Sequence, residues 1–161
     1  MDLFLAETLA SIDDAVAATT AAAESGKPVW AALTLDDAAP QNLRSGEPLA
    51  DAVAALARAG AGARLLNCSR PETIDAVWDA FAAAPGVCGA YANGFTSVTA
   101  LAPGGTVDSL EARHDLTPAA HAGVALGWVE RGARIVGGCC EVGPEHIRVL
   151  GERLRAAGHT V

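Results

Sequence analysis

Five times along the chain a short apolar run gives way to a segment whose apolar residues recur at helical spacing, and that alternation leaves room for few folds. Residues 2–7 form the first run, and a helix from near Ser11 uses Ile12 and Val16 before Gly26 and Pro28 stop it. A second strand covers Val29 to Leu35. Pro48 then opens a helix with Leu49, Val53 and Leu56 on one face and Gly60 at its end. The third strand is Ala63 to Cys68, followed by Ser69-Arg70-Pro71-Glu72, which fits a capping box ahead of Ile74, Val77, Trp78 and Phe81. Val87 to Asn93 is the fourth strand, and Gly94 to Leu116 reads as a long loop containing Pro103-Gly104-Gly105. Thr117-Pro118 starts a helix that stops at Gly132. The fifth strand runs from Ala133 into Gly137-Gly138-Cys139-Cys140, and Gly143-Pro144 opens a last helix with Ile147, Leu150 and Leu154 inward and Gly158 at its end.

Strands separated by helices pair in parallel, because each helix is the crossover that parallel pairing needs. Two architectures follow: an open, doubly wound five-stranded sheet, or part of a (β/α)8 barrel, which normally takes about 250 residues. The 161 residues favour the open sheet on length alone and read as one domain spanning 1–161. No run reaches the roughly 18 apolar residues of a membrane span, and Met1-Asp2-Leu3-Phe4-Leu5 lacks the charged start of a signal peptide. A cytoplasmic protein without a membrane partner is expected. Eleven basic residues against nineteen acidic ones give a formal charge of −8, and the arginines are scattered singly, so nucleic acid is not an expected partner.

In both architectures ligands sit at the carboxyl ends of the strands. The polar residues placed there are Glu7, Asn67, Cys68, Tyr91, Asn93, Cys139 and Cys140. Adjacent residues lie about 3.8 Å apart at Cα, too close for an ordinary disulfide, so Cys139 and Cys140 are not expected to bond to each other. Both thiols reach one site only where the strand's pleat breaks, and Gly137-Gly138 supplies that freedom. With Cys68 arriving from another strand, the set suits zinc with one position open. Two other readings stand beside it: Cys68 as a small buried hydrophobe, and Cys139-Cys140 as a redox dithiol. Cys88, at the opposite rim, reads as core. An open zinc–thiolate site holds a substrate thiol as a nucleophilic thiolate, which makes alkyl transfer to sulfur possible. Glu7 can meet an ammonium group. His121 reads as a packed histidine and His146 as a packing or capping residue, while His114 and His159 carry no role. Gly60-Ala61-Gly62 precedes a strand instead of following one, which argues against a dinucleotide site.

Gly137-Gly-Cys-Cys140 followed by Gly143-Pro-Glu-His-Ile147 resembles the signature of the homocysteine S-methyltransferases, and Asn67-Cys68 is similar to their second motif. Phe4-Leu-Ala-Glu-Thr8 resembles the family's Phe-Glu-Thr segment, and Tyr91-Ala-Asn-Gly94 its Tyr-Pro-Asn segment. The resemblance covers essentially the whole chain. It implies a partial barrel equivalent to about strands four to eight, which overrules the length argument. It also implies zinc on Cys68, Cys139 and Cys140, with the homocysteine thiol in the fourth position and its amino group on Glu7. Asn67, Tyr91 and Asn93 are the further residues expected at the substrate. The methyl donor would be S-methylmethionine, S-adenosylmethionine or betaine, and no side-chain acid or base need touch the methyl group. Two departures stand out: the family's amino-terminal Asp-Gly motif is absent, and alanine replaces the proline of Tyr-Pro-Asn. Five barrel strands would leave two open edges, which a homo-oligomer or a companion chain would close. The alternative function is a non-catalytic zinc-binding fragment or subunit that needs such a partner.

Overall fold

The computed structural model describes residues 1–98, 106, 108 and 110–161. Its elements are β1 Phe4–Leu9, α1 Ile12–Ala23, β2 Val29–Leu33, α2 Leu49–Ala59, β3 Ala63–Asn67, α3 Pro71–Ala83, β4 Val87–Tyr91, α4 Pro118–Glu130, β5 Ile135–Val136 and α5 Pro144–Ala156. All five strands are parallel and lie in chain order, β1-β2-β3-β4-β5. Right-handed crossovers that always step in one direction return the chain on one side, so every helix lands on the same face of the sheet. A doubly wound sheet needs a reversal in strand order, and there is none among the described residues, which removes that alternative. The chain is a run of consecutive βα units in one open sheet, the arrangement of a partial barrel.

The two faces differ accordingly. On the helix side, Ala31, Leu33, Leu66, Cys88 and Ala90 of the strands pack with Ala15, Leu56, Ile74, Trp78, Trp128 and Leu154 of all five helices in one core. Trp78 and Trp128, at helical spacing in α3 and α4, are fully buried and stack with ring centroids 5.8 Å apart. Burial of side chains this large contributes on the order of 3 kcal/mol each. The other face carries Trp30, Ala32, Leu65, Tyr91, Ile135 and Cys139. Leu5, in register with Trp30, lies on this side and is 43% exposed.

The helix ends largely follow the local signals. Ser11 Oγ accepts from the Asp14 N–H at 3.1 Å, Thr117 Oγ1 accepts from the Ala120 N–H at 3.2 Å, and Gly60 closes α2 at φ 89°. The box expected at Ser69 does not form. Ser69 Oγ instead accepts from the Leu35 N–H at 2.9 Å and donates to the Asn67 carbonyl at 3.0 Å, tying the ends of β2 and β3 together. The α3 start is served from outside by Asp37, whose Oδ1 accepts from Thr73 Oγ1 at 2.7 Å and the Arg70 N–H at 3.3 Å. Its end is held by Arg64, a buried strand residue whose guanidinium donates to the carbonyls of Phe81, Ala84 and Pro85.

Strand ends depart from the sequence reading by a few residues. The first strand spans Phe4–Leu9 instead of 2–7, with an irregular register between Ala6 and Leu9. The fifth is reduced to Ile135–Val136, so Cys139 and Cys140 lie beyond the strand in a turn. The segment after β4 is not wholly irregular: Phe95 and Ala112 form an antiparallel bridge. Pro103-Gly104-Gly105 lies outside the described residues.

Candidate metal centre

Cys68 is the first residue after β3 and adopts φ 49°, a left-handed conformation that costs a side-chain-bearing residue about 1–2 kcal/mol. Two donors hold its carbonyl in place, Arg44 Nη2 at 2.9 Å and Thr34 Oγ1 at 3.3 Å, both from the segment following β2. The second stretch leaves the sheet at Gly137. Its turn is pinned to the end of β4, where the Cys139 N–H donates to Ala92 O at 2.9 Å and the Gly94 N–H donates to Cys140 O at 2.8 Å. Gly138 is required there: a Cβ would lie 2.0 Å from Val142 Cγ1. Glu141, at φ 63°, completes the reversal.

These two backbones bring Cys68, Cys139 and Cys140 together with all three Sγ atoms within 4.8 Å of one another, the Cys139–Cys140 pair at 3.9 Å. No disulfide joins them. Zinc–sulfur bonds of about 2.3 Å in a tetrahedron put sulfurs roughly 3.8 Å apart, so the three thiols need close by less than about 1 Å to hold such an ion. The set is soft and leaves a fourth position, which fits zinc. Cys88 lies elsewhere, buried with its thiol 3.8 Å from the Gly132 carbonyl. The protonation pattern shows how closely the three act together. Hydrogen bonding from Cys139, with help from Arg44 and Asn93 and against burial, draws the Cys68 thiol down to about 6. Its hydrogen bond with Cys68, followed by burial, holds the Cys139 thiol far above the ordinary thiol range, while burial and then Cys68 raise Cys140.

Across the open face, Tyr91 Oη donates to Glu7 Oε2 at 3.1 Å. The contact joins β4 to β1 over two intervening strands and sets a carboxylate on the same side of the sheet as the cysteines. Burial, then the Glu7 charge, pushes the Tyr91 phenol upward, so it stays protonated and donates. Asn67, in register with Tyr91, is fully buried and commits both ends of its amide to Thr8: Oδ1 accepts from the Thr8 N–H at 3.1 Å and Nδ2 donates to Thr8 Oγ1 at 2.9 Å. Thr8, next to Glu7, sits at φ 60°. Asn93 Oδ1 accepts from the Phe95 N–H at 3.1 Å, and its amide nitrogen is buried with no hydrogen-bond partner among the described residues, near enough to Cys68 to add only the weakest of the pulls on that thiol.

Arg44 and Thr34 enter the site's framework without having been singled out for it from the sequence, and Thr8, quoted there only as the end of the Phe-Glu-Thr segment, enters as the partner of Asn67. Arg44 and Thr34 act through backbone and hydroxyl contacts that no residue spacing encodes. Arg44 makes no ion pair with a carboxylate among the described residues, leaving its charge to the Cys68 side of the centre.

Comparison with known proteins agrees with this geometry. Residues 1–154 match the family model of homocysteine S-methyltransferase. No curated sequence matches significantly. Among solved structures, the metallated form of the homocysteine methyltransferase MmuM from Escherichia coli is similar at 26% identity and TM-score 0.69, covering 94% of this chain and 45% of that one. The apo form gives the same identity and TM-score with 50% of that chain covered, and the oxidized form gives 27%, 0.69 and 45%. The chain thus spans about half the length of these relatives. With the family model matched over nearly its whole length and the three thiols converged, the chain belongs to the homocysteine S-methyltransferase family.

Proposed function

We propose that Cys68, Cys139 and Cys140 bind zinc and that the chain supports methyl transfer to the thiol of homocysteine, giving methionine. The donor is a sulfonium or betaine-type compound such as S-methylmethionine, S-adenosylmethionine or betaine. The observation that carries this reading is the convergence of three sulfurs at the end of the sheet that also presents the Glu7–Tyr91 pair. When bound, zinc supplies deprotonation of the incoming thiol near neutral pH, with three thiolates keeping electron density on that sulfur.

The chain's own residues do the rest. Glu7 receives the substrate ammonium, and Tyr91 fixes the direction of its carboxylate. Asn67, through Thr8, holds the backbone that carries Glu7. Arg44 and Asn93 steady Cys68. Methyl transfer is an in-line displacement: the homocysteine sulfur forms a bond to the methyl carbon as the donor's bond to that carbon breaks, and the electron pair leaves with the donor's sulfur or nitrogen. The donor loses its positive charge, and no proton moves to or from carbon. Orientation of the two reactants is therefore the chief contribution of the fold. A cytoplasmic setting, which keeps thiols reduced, suits a protein with four free cysteines.

The test is zinc content and molar mass of the purified chain, followed by homocysteine and S-methylmethionine added to the same sample. One zinc per chain and methionine formation are expected, and both should vanish in Cys139→Ser. Stoichiometric zinc and normal turnover in that variant would refute the assignment. A second reading, a zinc-binding subunit that works only with a companion, is favoured by the sheet's edges: β1 and β5 each pair on one side only among the described residues. A groove of about 780 Å³ also opens beside β5, bordered by Trp30, Ile135, Ile147 and Leu150. In that case the isolated chain binds zinc and forms no methionine until the companion is supplied.

A further inference from the structure

Two histidines outside the ligand set grip the two ends of the segment carrying Cys139 and Cys140. His121, on α4 and 2% exposed, meets the Gly137 carbonyl through Nε2 at 3.1 Å. A carbonyl only accepts, so this nitrogen carries the proton and Nδ1 is bare. Nδ1 has no partner among the described residues. At the other end the Gly143 N–H donates to His146 Nδ1 at 3.2 Å, which fixes the proton of His146 on Nε2, where it donates to the Leu116 carbonyl at 3.0 Å. The two rings meet edge to face, centroids 5.7 Å apart.

The segment from Gly137 to Gly143 is thus held at its start by α4 and at its end by α5, with both cysteines between the two grips. His146 caps the start of α5 as it holds Gly143, and packing alone does not account for His121. An apolar side chain would fill the place of His121 without burying an unsatisfied ring nitrogen, and the retained feature of the imidazole is its one donated hydrogen bond. Groups that orient ligands from behind commonly change metal affinity 10- to 100-fold when removed.

We propose that His121 and His146 are positioning residues that bracket the cysteine turn and set its affinity for zinc. The proposal rests on the metal reading of the three cysteines. Its test is zinc affinity of the full chain by chelator competition under reducing conditions, in the parent and in His121→Phe, His121→Gln, His146→Phe and His146→Asn. Phenylalanine keeps the ring and its edge-to-face contact but removes the hydrogen bond. Glutamine places an N–H at the reach of Nε2, and asparagine places an acceptor at the reach of Nδ1. The phenylalanine variants should bind zinc about 10- to 100-fold more weakly, and the amide variants should recover most of that loss. A packing role predicts the reverse order. Phenylalanine variants that match the parent, or amide variants that lose more than they do, overturn the bracket. Should His121→Phe not fold, the His146 pair, at the half-buried end, decides alone. A parent that takes up no zinc overturns the metal reading itself, which is distinct from a parent and variants that all bind equally.

Discussion

Asn67→Ala removes a side chain whose amide is committed to Thr8 at both ends, and it should loosen the substrate end of the site. The wild-type amide makes two hydrogen bonds to Thr8, at 3.1 and 2.9 Å, from a fully buried position. Each is worth about 1 kcal/mol net, and the Thr8 N–H, on an exposed residue, is free to take water in their place, so the loss sums to about 2 kcal/mol. For a domain of this size that lowers the melting temperature by about 4–8 °C. Urea unfolding of the zinc-free chain, compared across Asn67→Ala, Thr8→Ala and the double variant, isolates the pair. A coupling energy of about 1 kcal/mol is expected from the Nδ2–Oγ1 bond that both single variants break. Because Glu7 adjoins Thr8, homocysteine affinity should fall more than zinc affinity does. A cost under about 0.5 kcal/mol for Asn67→Ala, or strictly additive variants, would show that the clamp does not form in solution.

Ser69→Ala leaves the buried Leu35 N–H unpaired and should cost about 1–3 kcal/mol by chemical unfolding, whereas Glu72→Gln, at the other end of the sequence motif, should be close to neutral. Equal costs for the two would restore the capping-box reading. Arg64→Met strips three carbonyls at the end of α3 of their donor and should destabilise by about 2–4 kcal/mol, read as a lower urea midpoint at unchanged slope. Gly138→Ala drives a methyl into Val142, 2.0 Å from its Cγ1, and should lower bound zinc well below one per chain while the helical circular-dichroism signal persists. Full occupancy in that variant would mean that the turn has room the structure denies.

The periodic parts of this chain were legible because helices and buried strands write their burial into residue spacing. Trp78 and Trp128 fall at helical intervals and stack in the core, and the break in the pleat at Gly137-Gly138 was readable from two glycines ahead of two cysteines. Strand order then followed from topology that spacing leaves open, since the same βα alternation serves a doubly wound sheet and a run of barrel units. What the sequence concealed is long-range and polar. Ser69 has the right neighbours for a helix cap, but its hydroxyl goes to Leu35 instead, and the cap comes from Asp37, more than thirty positions away. Arg44 reaches Cys68 from a loop that carries no periodic signal. Partnerships of this kind are settled by which strand ends become neighbours in space, a property of the assembled sheet.

Among the described residues, the side-chain-bearing positions with left-handed backbones are Thr8, Cys68 and Glu141. One adjoins the carboxylate proposed to receive substrate, one is a proposed ligand and one follows another. Conformational tension is therefore gathered at the working end of the sheet, as is common where geometry is held ready before a ligand arrives. Selection for thermal robustness alone would relax those positions toward glycine, and the hardiest version of this polypeptide would be one whose rim had gone slack.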